Sequence, residues 1–163
     1  FEEALRYEKL LDDPGRMYPG FAALKRKVYA LLQPRLEELG WDLMPCHNDL
    51  VAANLVKNSV TGRMYLIDWE YSGTNDPMFD IAALFLENDF TAEDEELFFH
   101  YYYGEHPQPA ASREKILIFK ILQDYLWSTW TVLKESRGDN FGTYGLDRFT
   151  RAQKNIDLWE KRF

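Results

Sequence analysis

Residues 46–54 read Cys46-His47-Asn48-Asp49-Leu50-Val51-Ala52-Ala53-Asn54, and Leu66-Ile67-Asp68-Trp69 follows at 66–69. Two carboxylates, two amides and an imidazole are thus set among apolar residues. An ionised Asp49 accepts hydrogen bonds and can serve as a general base. The amide oxygen of Asn54 is a hard ligand suited to Mg²⁺. Asp68 ends a strand-like run, where a carboxylate can face a cleft. Residues 55–56 and 64–67 are short strand-like runs, and 57–63 between them holds the turn formers Asn58, Ser59, Thr61 and Gly62. The spacing predicts a hairpin that folds Asp68 back toward Asn54. The pair would then make a metal site with room for water and phosphate oxygens. Taken singly, His47, Asp49, Asn54 and Asp68 each fit a role in capping a loop or turn.

The flanking sequence reads as helical. Phe21, Leu24, Val28, Leu31, Leu32, Leu36 and Leu39 recur at helical spacing, with Pro34 expected to kink or split the helix and Gly40 to stop it. Residues 71–77 have loop composition, and 79–86 read as a buried helix. Thr91 can cap a helix with an acidic start, ending near Gly104. Residues 106–109 read as a turn. Ser112 can cap a long helix reaching about Glu135, with a core stripe of Phe119, Leu122, Leu126, Thr129, Trp130 and Leu133. Residues 138–145 read as a loop. Phe149, Ala152, Ile156, Trp159 and Phe163 form a last helical stripe. The fold class is mainly α (α+β), helical with one small β-hairpin.

The length of 163 residues suits one domain, and 46% hydrophobic residues are enough to bury a core. A net charge of −8 argues against nucleic acid or anionic lipid as partner and is compatible with a cationic small molecule. Most acidic surfaces serve solubility alone. Cys46 is the single cysteine, so no internal disulfide forms. His47 is its neighbour in sequence, but a small buried spacer suits Cys46 better than a nucleophile. No apolar run approaches the roughly 20 residues that span a bilayer, and no signal peptide is visible. These points give the expectation of a cytoplasmic protein with no membrane insertion. The start at Phe1, directly in a charged helix-like stretch, is read as a cut from a longer protein.

Asp49-x-x-x-x-Asn54 has the spacing of the protein-kinase catalytic loop, with its base and its metal-binding Asn, and Asp68 matches the second metal-binding carboxylate. With CHNDLVAANLV and the later YLIDWEYSGTNDPMFDIA, the chain resembles the choline/ethanolamine kinase family, notably its bacterial branch, over about residues 40–163. That family is related to the aminoglycoside phosphotransferases and has a protein-kinase-like fold. The resemblance implies ATP-dependent phosphorylation of a small amino alcohol. It makes Asp49 the base that takes the hydroxyl proton and Asn54 and Asp68 the Mg²⁺ ligands, with Glu70 as a further contributor. His47 would buttress the loop. Asn48 would support it, and Asp80 would tie the loop to its helix.

The tryptophans give a second line. At about 100° per residue, Trp130 falls on the core edge of its helix, and Trp127 falls off it beside Lys120, Gln123 and Lys134. A quaternary ammonium has no N–H donor and is bound by aromatic faces with a nearby carboxylate. The resemblance assigns this role to Trp127, Trp130 and Tyr144, with Glu87 as the carboxylate; Phe90 and Phe149 are further candidates. The alternative for the rings is packing at a helix end, and for Glu87 a plain surface position.

Among the nine glycines there is no G-x-G-x-x-G, and no V-A-x-K-like strand precedes the catalytic loop. The expectation is therefore a C-terminal lobe, 1–163, without its ATP-binding N-terminal lobe and with negligible activity alone. A second copy of the chain is a candidate partner for the open cleft surface. Choline is the favoured substrate. Ethanolamine, an aminoglycoside or another small alcohol are alternatives, as is a non-catalytic choline-binding domain.

Overall fold

A computed structural model describes residues 1–163, apart from the side chain of Pro14. Length alone points to one domain; contacts group the residues into two units, 1–40 with 120–163, and 41–119.

The first unit takes both ends of the chain. α1 spans Glu2–Lys9, α2 Phe21–Lys27 and α3 Gln33–Leu39, with a π-helical turn over Val28–Leu32 joining the last two. Pro34 explains that turn. Proline has no N–H and its ring crowds the carbonyl four residues back. The wider turn relieves this, and the Gln33 N–H reaches Val28 O. The helix thus changes register without breaking, and ends at Gly40 with φ 74°. Phe21, Leu24, Val28, Leu32 and Leu36 are buried as the spacing predicts, while Leu31 turns outward.

α6 (Ser112–Ser136), from residue 120 onward, and α7 (Tyr144–Arg162) supply the remaining helices. The expected stripe on α6 is misplaced as well as too narrow: Leu122, Leu126 and Trp130 are only half-buried, whereas Gln123, Asp124, Ser128 and Thr131 are buried. Their polarity is absorbed internally. Ser128 and Thr129 hydroxyls donate to Tyr125 O, and Thr131 donates to Trp127 O. Asp124 accepts from Arg148 at 3.1 Å and from Arg151 at 2.7 and 2.8 Å. Ser112 is the first residue of α6 and accepts from the Tyr103 hydroxyl; it does not cap the helix. Tyr144 opens α7, where composition gave loop to residue 145.

Phe149 stacks on Tyr18 and Phe21, and Phe21 stacks on Tyr125. The Tyr125 hydroxyl donates to Glu8 at 2.7 Å, and burial raises its pKa further than the carboxylate does. Gly145 is packed against Tyr18 and Thr131; an added Cβ would overlap the Tyr18 hydroxyl and stand 2.7 Å from Thr131 Cγ2. Gly145→Ala is therefore expected to destabilise the chain by about 1–3 kcal/mol, as overpacked cores do. A urea melt checks this, and a midpoint equal to wild type would contradict it.

The second unit carries the sheets. β1 (Met44–Cys46) pairs antiparallel with β4 (Gly73–Asn75), and β2 (Leu55–Lys57) with β3 (Met64–Leu66). The β2–β3 hairpin is the predicted one. Asn58 Oδ1 accepts from the Val60 and Thr61 N–H groups in its turn. β4 lies where composition gave loop, and β1 falls on residues to which the sequence pattern assigned no element. α4 (Pro77–Glu87) buries Ile81, Ala82, Phe85 and Leu86. α5 (Ala92–Tyr103) starts in a capping box between Thr91 and Asp94 and stops at Gly104. Among the described residues, no helix is long and apolar enough to cross a membrane.

Candidate functional site

The site is built from the loop between β1 and β2 and the loop after β3. His47 is 2% exposed, and its Nε2 lies 2.8 Å from Ile67 O. A carbonyl only accepts, so the imidazole carries its proton on Nε2. The Trp69 ring meets it edge-on at 4.8 Å. His47 thereby fixes the backbone just before Asp68. The Ile67 N–H also donates to Asn54 O at 3.0 Å, so the hairpin joins Asn54 to the segment carrying Asp68.

Asn54 is 7% exposed. Its amide nitrogen donates to Asp49 twice, to the backbone oxygen at 2.9 Å and to Oδ2 at 3.0 Å. That orientation spends the NH₂ group on Asp49 and leaves the amide oxygen as the group to meet a ligand.

Asn48 and Asp68 both stand at φ 65°, in the left-handed region. Non-glycine residues enter it rarely, Asn and Asp most readily. Such conformations persist where surrounding bonds fix them, and they gather at functional sites. The bonds at Asn48 are explicit. Asp80 accepts from the His47 N–H at 2.7 Å and the Asn48 N–H at 2.8 Å. The Asn48 side chain donates to Tyr71 O and accepts from Asn75, both at 2.9 Å.

Cys46 is buried, its thiol donating to Asn75 O at 3.4 Å, and burial pushes its pKa up. It is a spacer, without the thiolate character a nucleophile needs. Asp68 and Glu70 are exposed on the loop after β3, and Glu87 is exposed at the end of α4.

The residues composition did not flag lie behind the loop. Asp76 is 0% exposed and caps α4 by accepting from the Met78 N–H at 3.0 Å. The Lys115 ammonium, in a side chain only 3% exposed, donates to Asp76 at 2.8 Å and Asp42 at 2.9 Å. Burial pulls the Lys115 pKa down, but Asp76 and then Asp42 outweigh it, so the ammonium stays charged. Asp76-Pro77 carried a local signal, a helix cap followed by proline at the first helical position. A lone lysine in a helix carried none.

Of the aromatic candidates, Trp127 meets Trp130 edge-on at 5.6 Å, and Trp130 meets Phe141 at 5.0 Å. Lys134 Nζ lies 5.9 Å from the Trp130 centroid, and the Arg148 guanidinium lies 4.6 Å from that of Tyr144. Phe149, 3% exposed in the aromatic stack, has no face to offer a ligand. Phe90 stacks on Phe85. On the polar flank beside Trp127, Gln123 is buried, whereas Lys120, Lys134 and Trp127 itself are half-buried.

Asn54, Asp68 and Glu70 offer oxygen donors, the kind that a hard cation takes. Among the described residues no three His, Cys, Asp or Glu side chains gather to hold a metal. One amide oxygen with one or two carboxylates is the sparse oxygen set that Mg²⁺ accepts when water and phosphate complete its shell.

A family model described as choline/ethanolamine kinase matches residues 21–114, more than half of the chain. The chain belongs to the choline/ethanolamine kinase family. The match begins at α2, earlier than the motifs alone reached. The solved choline kinase LicA from Streptococcus pneumoniae is 46% identical, with a TM-score of 0.85 over 96% of this chain and 54% of that one. A structure of LicA in complex with AMP matches with a TM-score of 0.84, covering 97% of this chain and 53% of that one at 46% identity. Protein LicA of Haemophilus influenzae is 32% identical over 164 residues, 96% of this chain and 47% of that protein. The chain spans about half the length of these relatives. The mostly helical architecture with small antiparallel sheets is thus that of a choline kinase fold.

Proposed function

We propose that this chain is the C-terminal, catalytic lobe of an ATP-dependent kinase that transfers the γ-phosphoryl group to the hydroxyl of choline, giving phosphocholine. The observation that carries the reading is the pair of hydrogen bonds that the Asn54 amide donates to Asp49, in a loop that His47 ties to the residue before Asp68. Asp49 accepts the hydroxyl proton as the oxygen attacks in line. Asn54 and Asp68, with Glu70 as a further contributor, would hold Mg²⁺, and the bound ion would supply charge neutralisation at the phosphate oxygens. His47, Asn48 and Asp80 keep the loop in shape. The AMP bound by the LicA relative supports a nucleotide as the second substrate. The chain alone, spanning half of its relatives' length, is expected to turn over negligibly.

Trp127, Trp130 and Tyr144 are the proposed contacts of the trimethylammonium group, with Glu87 as the carboxylate suggested by the sequence. Lys134 and Arg148 lie against Trp130 and Tyr144, so Trp127 is the ring to test. A panel of choline, ethanolamine and an aminoglycoside on the full-length protein, wild type and Trp127→Ala, is the experiment. Choline should be the best substrate of the wild type. Trp127→Ala should raise the KM for choline roughly tenfold, the size of one cation–π contact of about 1.4 kcal/mol, and raise that for ethanolamine less. An equal rise for both would make Trp127 a packing residue. A wild type that prefers ethanolamine would move the substrate assignment.

A further inference from the structure

Lys115 is an unusual residue to find 2% exposed, since lysine is rarely buried without a partner. Its partners are unequal. Asp42 has an exposed side chain, at 76%, whereas that of Asp76 is 1% exposed. The burial of the cation therefore centres on Asp76.

Two chains of bonds leave Asp76, and they converge on one residue. Along the first, Asp76 caps α4 through the Met78 N–H, and one turn further Asp80 accepts from the His47 and Asn48 N–H groups. Along the second, the Asp76 N–H donates to Asn75 Oδ1 at 2.8 Å, and the Asn75 NH₂ donates to Asn48 Oδ1 at 2.9 Å. Both end on Asn48, held at φ 65° immediately before Asp49.

We propose that Lys115 is a positioning residue of the phosphotransfer site, locking Asp76 so that α4 and Asn75 together hold Asn48, and with it the Asp49 carboxylate, in register. The inference rests on the phosphotransferase reading above. Lys115 itself touches no reacting atom. A buried cation gives Asp76 one fixed place, and the first turn of α4 takes its position from that cap. Without the ammonium, Asp76 is a buried carboxylate that must take up a proton, draw water or turn away. Each response changes the bonds at the common origin of both chains. A displacement of about 1 Å at the base is enough to cost roughly 100-fold in rate.

The test compares Lys115→Met, Lys115→Arg and Asp76→Asn in the full-length protein with choline and Mg-ATP, with folding checked by circular dichroism. Lys115→Met should lower kcat by roughly 100-fold while both KM values stay within about threefold, the mark of a loss felt in the transition state. Lys115→Arg should recover most of that loss, because it restores the cation. Asp76→Asn keeps the shape of the cap and carries the test where Lys115→Met does not fold; it should show the same split. Amide exchange adds a readout that needs no turnover: in Lys115→Met or Asp76→Asn, the His47 and Asn48 amides should exchange at least tenfold faster, with the centre of α6 unchanged. A folded variant with wild-type kcat, or with equal loosening everywhere, would overturn the proposal. If the wild type transfers no phosphoryl group to any alcohol, the phosphotransferase reading fails instead, and with it Lys115's role in transfer; the exchange ratio then reports only its hold on the loop.

Discussion

Replacing Asp49 by alanine in the full-length protein is expected to lower kcat for choline by roughly a thousandfold, within the range of a lost general base, and to leave the KM for choline nearly unchanged. A thousandfold is about 4 kcal/mol of transition-state stabilisation. Two roles of Asp49 have to be separated. Its carboxylate is the proposed proton acceptor, and Oδ2 also receives the Asn54 amide at 3.0 Å. The second bond from Asn54, to Asp49 backbone O at 2.9 Å, survives in alanine. Loss of one hydrogen bond to a charged acceptor costs about 1.5–3 kcal/mol, so misplacement of Asn54 alone falls short of the effect. Asp49→Asn decides the matter, because it offers Asn54 an acceptor yet is a poor base. It should be nearly as slow as Asp49→Ala. Recovery of rate in Asp49→Asn would make the residue a support for Asn54, and full turnover in Asp49→Ala would remove it from the mechanism.

The parts of this site that read easily were local. The hairpin was legible because Asn58 and Gly62 mark its turn, and its strands lie either side. Asp49 and Asn54 were legible because the helical turn at Ala52–Asn54 brings residues five apart into contact. Thr91 and Gly104 declared the ends of α5 by chemistry that depends on neighbours only.

What did not read was set by partners far along the chain. β1 and β4 are three residues each, one containing Pro45 and the other Gly73, and neither has strand propensity to show. They pair because Asn48, Asn75 and Asp80 bring them together. The expected stripe on α6 left out Asp124, Ser128 and Thr131, yet Asp124 is buried by arginines from α7, and the hydroxyls close on their own helix. Lys115 is charged at a position that looks like a surface helix, and only the fold brings Asp76 to it, 39 residues away.

The largest structural effect expected is at Asp80. Its two oxygens accept from two successive backbone N–H groups, at 2.7 and 2.8 Å, in bonds strengthened by the charge. Asp80→Ala strands both donors. The His47 N–H belongs to a residue 2% exposed and cannot readily find water; that of half-buried Asn48 can in part. At about 1–3 kcal/mol for each unmet group, the loss is about 2–5 kcal/mol, a large share of the roughly 5–15 kcal/mol that holds a domain folded. For a chain of this size it corresponds to a Tm lower by about 5–15 °C. Asp80→Asn keeps one acceptor and turns an NH₂ toward the other N–H, so it should rescue little. The contrast with Asp49→Ala is the informative part: that change removes rate and leaves the melt nearly intact, whereas Asp80→Ala should lower both. A thermal melt within about 1 °C of wild type would show that neither N–H depends on Asp80. Asn48 would then owe its left-handed turn to the Asn75 and Tyr71 bonds alone.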